Sequence, residues 1–298
     1  MPVSSKCVLA ALALLQLGCA ALVEFPDDPQ LVDEGPWRCL TDPVKQPHPT
    51  AATAHVRLPV CDVLLGCSTP LTGLTGKLCA KLDPGCGSPL PNSVAYANGV
   101  FSFDVPTGTL GFDGYLQVTA PAAPCNDHDV FGDASSALCG LLPQCDLTAP
   151  DASCFMPTYA PSLRFFNPPI VADADLPALS IATMATSLAI GRATGGTLEP
   201  SKGSLLVTAK DCDGVGAEGI TLALVEPQDG ETRLLYTENG LLSTARRETD
   251  TSGIGVFVGA TPGYINVVAR DSAGLRIGGV GAQIVAGATS YALLFPSL

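Results

Sequence analysis

The chain is poor in positive charge, histidine and aromatic rings. Its 298 residues include 15 Lys and Arg against 28 Asp and Glu, three His and only 6% aromatic residues. Nucleic acid binding needs a concentrated basic face, whereas this chain has a net charge of −13 that is spread along its length, so we set that class of partner aside. Scarce rings also make carbohydrate binding a poor fit, because sugar faces stack on exposed aromatic side chains.

Long hydrophobic runs and the familiar catalytic motifs are absent as well. The apolar run from Cys7 to Leu17 is too short to span a bilayer permanently. The sequence contains no His-Glu-x-x-His and no Gly-x-Ser-x-Gly, and Gly191 to Gly196 lacks the lysine of a phosphate-binding loop. We therefore expect a noncatalytic protein without a cofactor. A hydrolase with dispersed catalytic residues is the third alternative considered below.

The N-terminus has the order of a secretion signal: a lysine, an apolar run and then small residues. Gly18-Cys19 resembles the bacterial lipobox, in which the cysteine becomes the lipidated first residue of the mature chain. The match departs from the pattern at Gln16, where the lipobox usually has leucine. We favour lipidation at Cys19 over ordinary cleavage after Ala20 or Ala21.

Twelve cysteines are present, and ten of them follow either cleavage site. An exported chain meets an oxidising compartment, so we expect disulfides. No Cys-x-x-Cys pair occurs, and His48, His55 and His128 show no ligand-like spacing to cysteine, so we predict no zinc site. The disulfide candidates are Cys39, Cys61, Cys67, Cys79, Cys86, Cys125, Cys139, Cys145, Cys154 and Cys212.

Nine of these ten cysteines lie between Cys39 and Cys154. We therefore expect the first half of the chain to be cross-linked and the second half to depend mainly on its apolar core. Pairing does not follow from sequence alone. Three pairs would each close a short loop: Cys61 with Cys67, Cys79 with Cys86, and Cys139 with Cys145.

The stretch from Asn98 to Ala120 recurs in altered form near the other end, from Ser252 to Ala269. Each copy reads as two strands and a turn. In each, a Phe stands four residues after a Gly and an Ala five residues after a Tyr. Glycine and proline fall mostly between short apolar runs, as they do in all-β proteins. These features predict two tandem antiparallel β-sandwiches.

Proline and helical spacing divide the chain further. Proline is dense from Leu22 to Thr53, which favours an extended tether. Apolar residues recur at helical spacing from Asp173 to Gly191, which predicts a helix that connects the sandwiches. The predicted organisation is a signal peptide at 1–19, a tether at 20–53, a disulfide-rich sandwich at 54–172, a helical connector and linker at 173–203 and a second sandwich at 204–298.

Two acidic clusters are calcium candidates: Asp127, Asp129 and Asp133 in one, and Asp211 with Asp213 in the other. Calcium takes six to eight oxygens, and neither cluster continues as an EF-hand loop. Aspartate is also a common turn residue. We prefer the turn interpretation and predict no metal site.

Turn motifs in the second half resemble those of a known family. The stretches are Lys210 to Gly214, Ala217 to Leu222, Thr249 to Gly253 and Pro262-Gly263-Tyr264, and the first half is similar through Pro70 to Gly73 and Asn98 to Ala120. Together they look like the carboxypeptidase regulatory-like domain, a transthyretin-like sandwich. The resemblance implies an accessory, noncatalytic module of exported and cell-surface proteins, and it carries over no catalytic residue.

The sequence as a whole leads us to expect a noncatalytic bacterial cell-envelope lipoprotein that acts as a binding or structural module. Its membrane contact would be the lipid anchor, and Ala20 after the lipidated cysteine suits the outer membrane by resemblance to other lipoproteins. The partner, an envelope protein or a glycan, is unspecified. The alternative is a secreted carbohydrate-binding module, followed by an unrecognised hydrolase.

Overall fold

The fold is taken from a computed structural model that describes residues 36–40, 48–91, 93–140, 154–193 and 199–297. Strands make up 46% of it and helices 9%, which agrees with the predicted all-β class. In these ranges no helix is both long and apolar enough to cross a membrane. The predicted signal peptide, with Cys19, lies outside the described residues.

The elements alternate short strands with turns, and helices are few. The strands of the first half are β1 (Thr53–Asp62), β2 (Thr75–Ala80), β3 (Val94–Ala97), β4 (Val100–Pro106), β5 (Gly114–Thr119), β6 (Ala122–Pro124), β7 (Phe155–Pro157), β8 (Ser162–Phe165), β9 (Ala174–Asp175) and β10 (Leu179–Ile181). Those of the second half are β11 (Gly203–Ala209), β12 (Thr221–Leu224), β13 (Arg233–Glu238), β14 (Leu241–Ser243), β15 (Ile254–Ala260), β16 (Gly263–Arg270), β17 (Arg276–Ile284) and β18 (Thr289–Leu294). The helices are α1 (His128–Phe131), α2 (Ser135–Cys139) and α3 (Met184–Ala193).

Two sets of strands repeat one topology. In the first set, a sheet of order β10-β1-β4-β3 is accompanied by β2-β5-β8; in the second set, β18-β11-β15-β13 is accompanied by β12-β16-β17. The directions match as well, because β10 runs parallel to β1 and β18 runs parallel to β11, whereas β4 and β15 run antiparallel to those same strands. The first set has one addition, the short β9, which also runs parallel to β1. The internal repeat in the sequence therefore corresponds to a repeat of strand order.

Within each copy of the repeat, the two strands belong to different sheets. β4 pairs with β1 and β3, whereas β5 pairs with β2 and β8. β15 and β16 are separated in the same way. The turn between them thus crosses from one sheet to the other, and the phenylalanines of both copies, Phe103 and Phe257, are buried.

The two sets share one sheet. β8 pairs in parallel with β18, from Ser162 opposite Thr289 to Arg164 opposite Tyr291. This pairing creates a sheet of eight strands in the order β14-β13-β15-β11-β18-β8-β5-β2. It also covers two strand edges that would otherwise present unpaired backbone groups. The parallel pairs β1–β10, β11–β18 and β8–β18 depart from the predicted antiparallel sandwiches, because a two-residue period reveals neither strand direction nor strand partner.

Side chains alternate between the two faces of this shared sheet and enter two different cores. Leu116 of β5 packs with the residues of β1 and β4, whereas its neighbour Tyr115 packs on the opposite face. Tyr115 and Phe165 of the first set lie in one cluster with Ile277 and Leu294 of the second set. The two sets are therefore joined by a common core as well as by backbone hydrogen bonds.

The predicted helix from Asp173 to Gly191 is only partly helical. Its first part forms β9 and β10, which run parallel to β1. Leu179 and Ile181 are buried on either side of exposed Ser180, which is strand alternation. The helix α3 begins at Met184, and residues 194–198 of the predicted linker lie outside the described ranges.

The long cysteine-rich connection from 121 to 161 has structure of its own in the residues described. β6 and β7 form a small antiparallel ladder. A third apolar cluster brings Met156 of β7 together with Met184 and Leu188 of α3. The connection is therefore folded onto α3, and residues 141–153 lie outside the described ranges.

Because the two strand sets share a core, we predict that one substitution in this core destabilises both sets together. Phe165→Ala removes a ring whose centroid lies 4.9 Å from that of Tyr115, and we expect a loss of about 3–5 kcal/mol in unfolding free energy. Trp37 packs on the same cluster, so its fluorescence and far-ultraviolet circular dichroism should report one denaturant midpoint. Phe155→Ala, at an exposed phenylalanine, is the matched control and should cost far less. Separate midpoints for the two probes would contradict a common core.

Candidate functional site

Two disulfides close short loops at the ends of strands. Cys61 bonds Cys67 after β1, and Cys79 bonds Cys86 after β2. Both pairs are those predicted from spacing. Each bridge prevents the loop from opening, so the side chains that the loop displays are held in place.

The third local bridge differs from the prediction. Cys125 bonds Cys139, because α1 and α2 turn the chain back towards β6. The predicted pair of Cys139 with Cys145 is therefore wrong. Cys154 is also disulfide-bonded, and Cys145 lies outside the described residues.

The fourth bridge joins distant parts of the chain. Cys39 bonds Cys212, which follows β11, across a sequence separation of 173. The Arg38 guanidinium pairs with the carboxylate of Asp213 beside it, and the carbonyl of Pro36 accepts a hydrogen bond from the N–H of Cys212. The expectation that the second half has little disulfide support is therefore corrected.

This bridge also attaches part of the predicted tether to the folded core. Residues 36–40, within the predicted tether at 20–53, form a turn and a short 3₁₀ helix. Trp37 and Leu40 pack against the core that both strand sets share. The chain therefore enters the fold at a fixed corner, next to the end of β11, and residues 41–47 lie outside the described ranges.

The candidate calcium residues cap turns. The Asp211 Oδ1 accepts hydrogen bonds from the N–H groups of Asp213 and Val215, at 2.9 and 3.0 Å. The Asp127 Oδ1 accepts those of Asp129 and Val130 in the same manner, at 3.0 and 3.3 Å. In the part of the chain that the structure describes, no three metal-ligating side chains come together. Aspartate acts here as a turn residue.

An open cleft of about 310 Å³ lies at one end of the second set, where the β12–β13 connection folds over the sheets. Its rim is held by hydrogen bonds: the Gln228 Oε1 accepts one from the N–H of Thr261 at 2.9 Å, and Asp229 pairs with Lys202. The hydrogen bond from Lys202, followed by that from Thr261, holds the pKa of Asp229 below its ordinary value. These rim groups already have partners, so they stabilise the connection.

A second open cleft, of about 410 Å³, spans both strand sets. Lys81 and Asp113 of the first set form an ion pair at 3.1 Å on one side, and Tyr264 of the second set stands on the other. Tyr264 is 39% exposed. A single half-exposed ring is a small stacking platform for a sugar.

The Cys61–Cys67 loop exposes three consecutive large aliphatic side chains. Val63 is 46% exposed, Leu64 is 72% exposed and Leu65 is 68% exposed. We call Val63 to Leu65 the apolar tip. A contiguous group of exposed apolar side chains is a candidate interaction site. Sequence reasoning noted the short Cys61–Cys67 spacing and missed the apolar residues that it encloses.

Asp62 fixes the backbone of this loop from below. It is only 4% exposed, and its Oδ1 accepts the N–H groups of Leu64 and Leu65 at 2.7 and 2.9 Å. Tyr159 lies near the Asp62 carboxylate. Burial first, and then the charge of Asp62, raise the pKa of Tyr159 to about 12. The N–H of Val63 also donates to the carbonyl of Ile181 at 2.9 Å, and this bond ties the loop to β10 of the strand set.

Comparison of the chain with family models, curated proteins and solved structures finds no match. The resemblance to carboxypeptidase regulatory-like domains therefore stays a prediction. Function has to be argued from the geometry above.

The Cys39–Cys212 disulfide should stabilise the fold more than the Cys61–Cys67 disulfide does. In the chain-entropy account, closing a loop of 173 residues stabilises by roughly 5 kcal/mol, against roughly 2 kcal/mol for a loop of about six. We expect the double variant Cys39→Ser/Cys212→Ser to lower the unfolding free energy more than Cys61→Ser/Cys67→Ser does, in urea titrations. Equal losses would show that the long bridge adds little constraint.

The contact between Asp62 and Tyr159 predicts a change in tyrosine ionisation. Asp62→Asn keeps an oxygen that can accept the loop N–H groups but removes the charge, so the pKa of Tyr159 should fall from about 12 towards 10. Ultraviolet titration would show one phenolate forming at lower pH, and Tyr159→Phe would identify it by deleting that step. Since the raised pKa favours the neutral phenol in the fold, this group's stabilisation is present below pH 10 and is lost as the pH rises towards 12. An unchanged titration in Asp62→Asn would argue against the contact.

Proposed function

We propose that this protein is a noncatalytic lipoprotein of the bacterial cell envelope that acts as a binding or structural module. The disulfide bonds are the strongest support for this proposal. Disulfides close loops after two strands and tie Cys39 to Cys212. Such bonds form and persist in oxidising compartments outside the cytoplasm, where an exported envelope protein resides.

The repeated strand order supports a pair of transthyretin-like sandwiches as the scaffold. Each set places four strands of one order beside three of another. The shared sheet and common core make the pair a rigid support for loops at its ends. A rigid scaffold that displays loops suits binding or structural roles.

The one histidine–carboxylate pair that the described residues form has a structural explanation, which supports a noncatalytic role. The His55 Nδ1 lies 2.8 Å from the Asp104 Oδ1, but these residues face each other across β1 and β4 on an exposed sheet surface. Hydrogen-bonded pairs at directly opposite positions stabilise sheets. A catalytic histidine works instead within reach of a bound substrate in a cleft.

A lipid on Cys19 would hold the fold close to a membrane. The chain enters the fold at the Cys39–Cys212 corner. Residues 20–38 can span at most roughly 65 Å when fully extended. The proposed location is therefore the surface of the envelope, with the outer membrane favoured by Ala20.

Metabolic labelling with a lipid precursor tests the anchor. Wild-type protein should incorporate label, and Cys19→Ser should abolish it, because the thioether forms on that sulfur. Cys7→Ser, within the apolar run, is the matched control and should leave labelling unchanged. An unlabelled wild type, or label that survives in Cys19→Ser, would refute the proposed lipoprotein.

A further inference from the structure

We propose that the apolar tip of the Cys61–Cys67 loop inserts into the surface of a lipid bilayer. This is a second membrane contact, separate from the proposed lipid on Cys19. It rests on the loop's own contacts and not on the anchor.

The tip differs from the other exposed leucines of the described chain in being continuous. Leu82 and Leu110 are exposed as single residues in different loops, and Leu241 is the exposed first residue of β14. Isolated apolar side chains on a surface are ordinary. In the apolar tip, by contrast, two leucines and a valine are exposed at consecutive positions of one loop.

The tip is also preformed. The Cys61–Cys67 bridge closes the loop, and Asp62 accepts two of its N–H groups. The N–H of Val63 donates to the carbonyl of Ile181 at 2.9 Å, which ties the loop to β10. Because the loop is already ordered, binding requires little further loss of conformational freedom.

The backbone of the tip can leave water without exposing unpaired donors. The N–H groups of Val63, Leu64 and Leu65 have the acceptors given above, and that of Gly66 donates to the carbonyl of Asp62 at 2.9 Å. An unpaired N–H in hydrocarbon costs several kcal/mol. Internal pairing of every donor from residue 63 to 66 therefore suits a bilayer, which supplies no acceptors of its own in its apolar region.

The charge pattern favours an uncharged lipid surface. No charged residue occurs from Val63 to Gly76, in a chain of net charge −13. Ser68 and Thr69 follow the tip and are exposed, so they are placed to meet the headgroup region. The loop has no lysine or arginine for anionic headgroups. We therefore expect binding that depends on apolar contact and only weakly on lipid charge.

The tip and the entry of the chain lie at opposite ends of the shared sheet. Tyr159, which lies near Asp62, precedes the start of β8. Cys212 follows the end of β11, and β8 and β11 both run parallel to β18. β8, β18 and β11 have four, six and seven residues and therefore span roughly 13–23 Å. The stretch before residue 39 is long enough for both contacts to reach one bilayer.

Vesicle binding of unlipidated protein tests the loop apart from the anchor. The full chain carrying Cys19→Ser, purified from the exported fraction, is mixed with phosphatidylcholine vesicles and sedimented. We expect it to sediment with lipid, and Leu64→Ser/Leu65→Ser in the same background to lower the partition coefficient by roughly tenfold or more. Addition of phosphatidylglycerol should change binding little.

Leu110→Ser/Leu241→Ser is the matched control, because it replaces two equally exposed leucines elsewhere, and it should bind as the parent does. Thermal unfolding midpoints of both variants should match the parent, which shows that they are folded. An equal effect of both pairs, or a parent that stays in solution at the highest lipid concentration, would overturn the proposal. So would loss of a specific protein crosslink on cells in the loop variant without any vesicle binding, which would make the loop a protein interface.

Depth can be measured with a fluorophore at the tip. Leu64→Trp adds one tryptophan to a chain whose only other is Trp37, which is partly buried against the common core. Brominated phosphatidylcholine should quench the added residue and leave the emission of Trp37 in the parent unchanged. Equal quenching in both proteins, or none in Leu64→Trp, would contradict insertion.

Discussion

The parallel pairing of β8 with β18 is the constraint on which the remaining structure depends. It joins the three-stranded side of the first set to the four-stranded side of the second. Because successive side chains of a strand point to opposite faces, the joined sheet must be covered on both. Tyr115 and Leu116, adjacent in β5, enter different cores for this reason.

The disulfides extend this constraint to the beginning of the described chain. Cys39 reaches Cys212 at the end of β11, and Leu40 completes the core formed by both sets. The first described residues and the last strand thus depend on the same packing. Contacts so distant in sequence carry a large entropic cost of closure, which a covalent bridge reduces.

The loops are held in fixed conformations, and this determines which side chains they expose. Asp211, which suggested metal binding, caps a turn, and Asp229 holds the β12–β13 connection. Asp62 caps a turn in the same way, directly before the exposed apolar residues of the tip. A buried carboxylate and a disulfide together display Leu64 and Leu65 to solvent, where unconstrained leucines would tend to fold inward.

The sequence by itself determined where most strands lie, because apolar alternation, as at Val56, Leu58 and Val60, and turns at Gly and Pro are local properties. It suggested the short disulfides for the same reason. Only the tertiary structure decided strand direction, the strands that replace the first part of the predicted helix, and the bond from Cys39 to Cys212. It also decided that Leu58 is buried while Leu64 is exposed. These features depend on which residues meet in space, and neither periodicity nor composition contains that information.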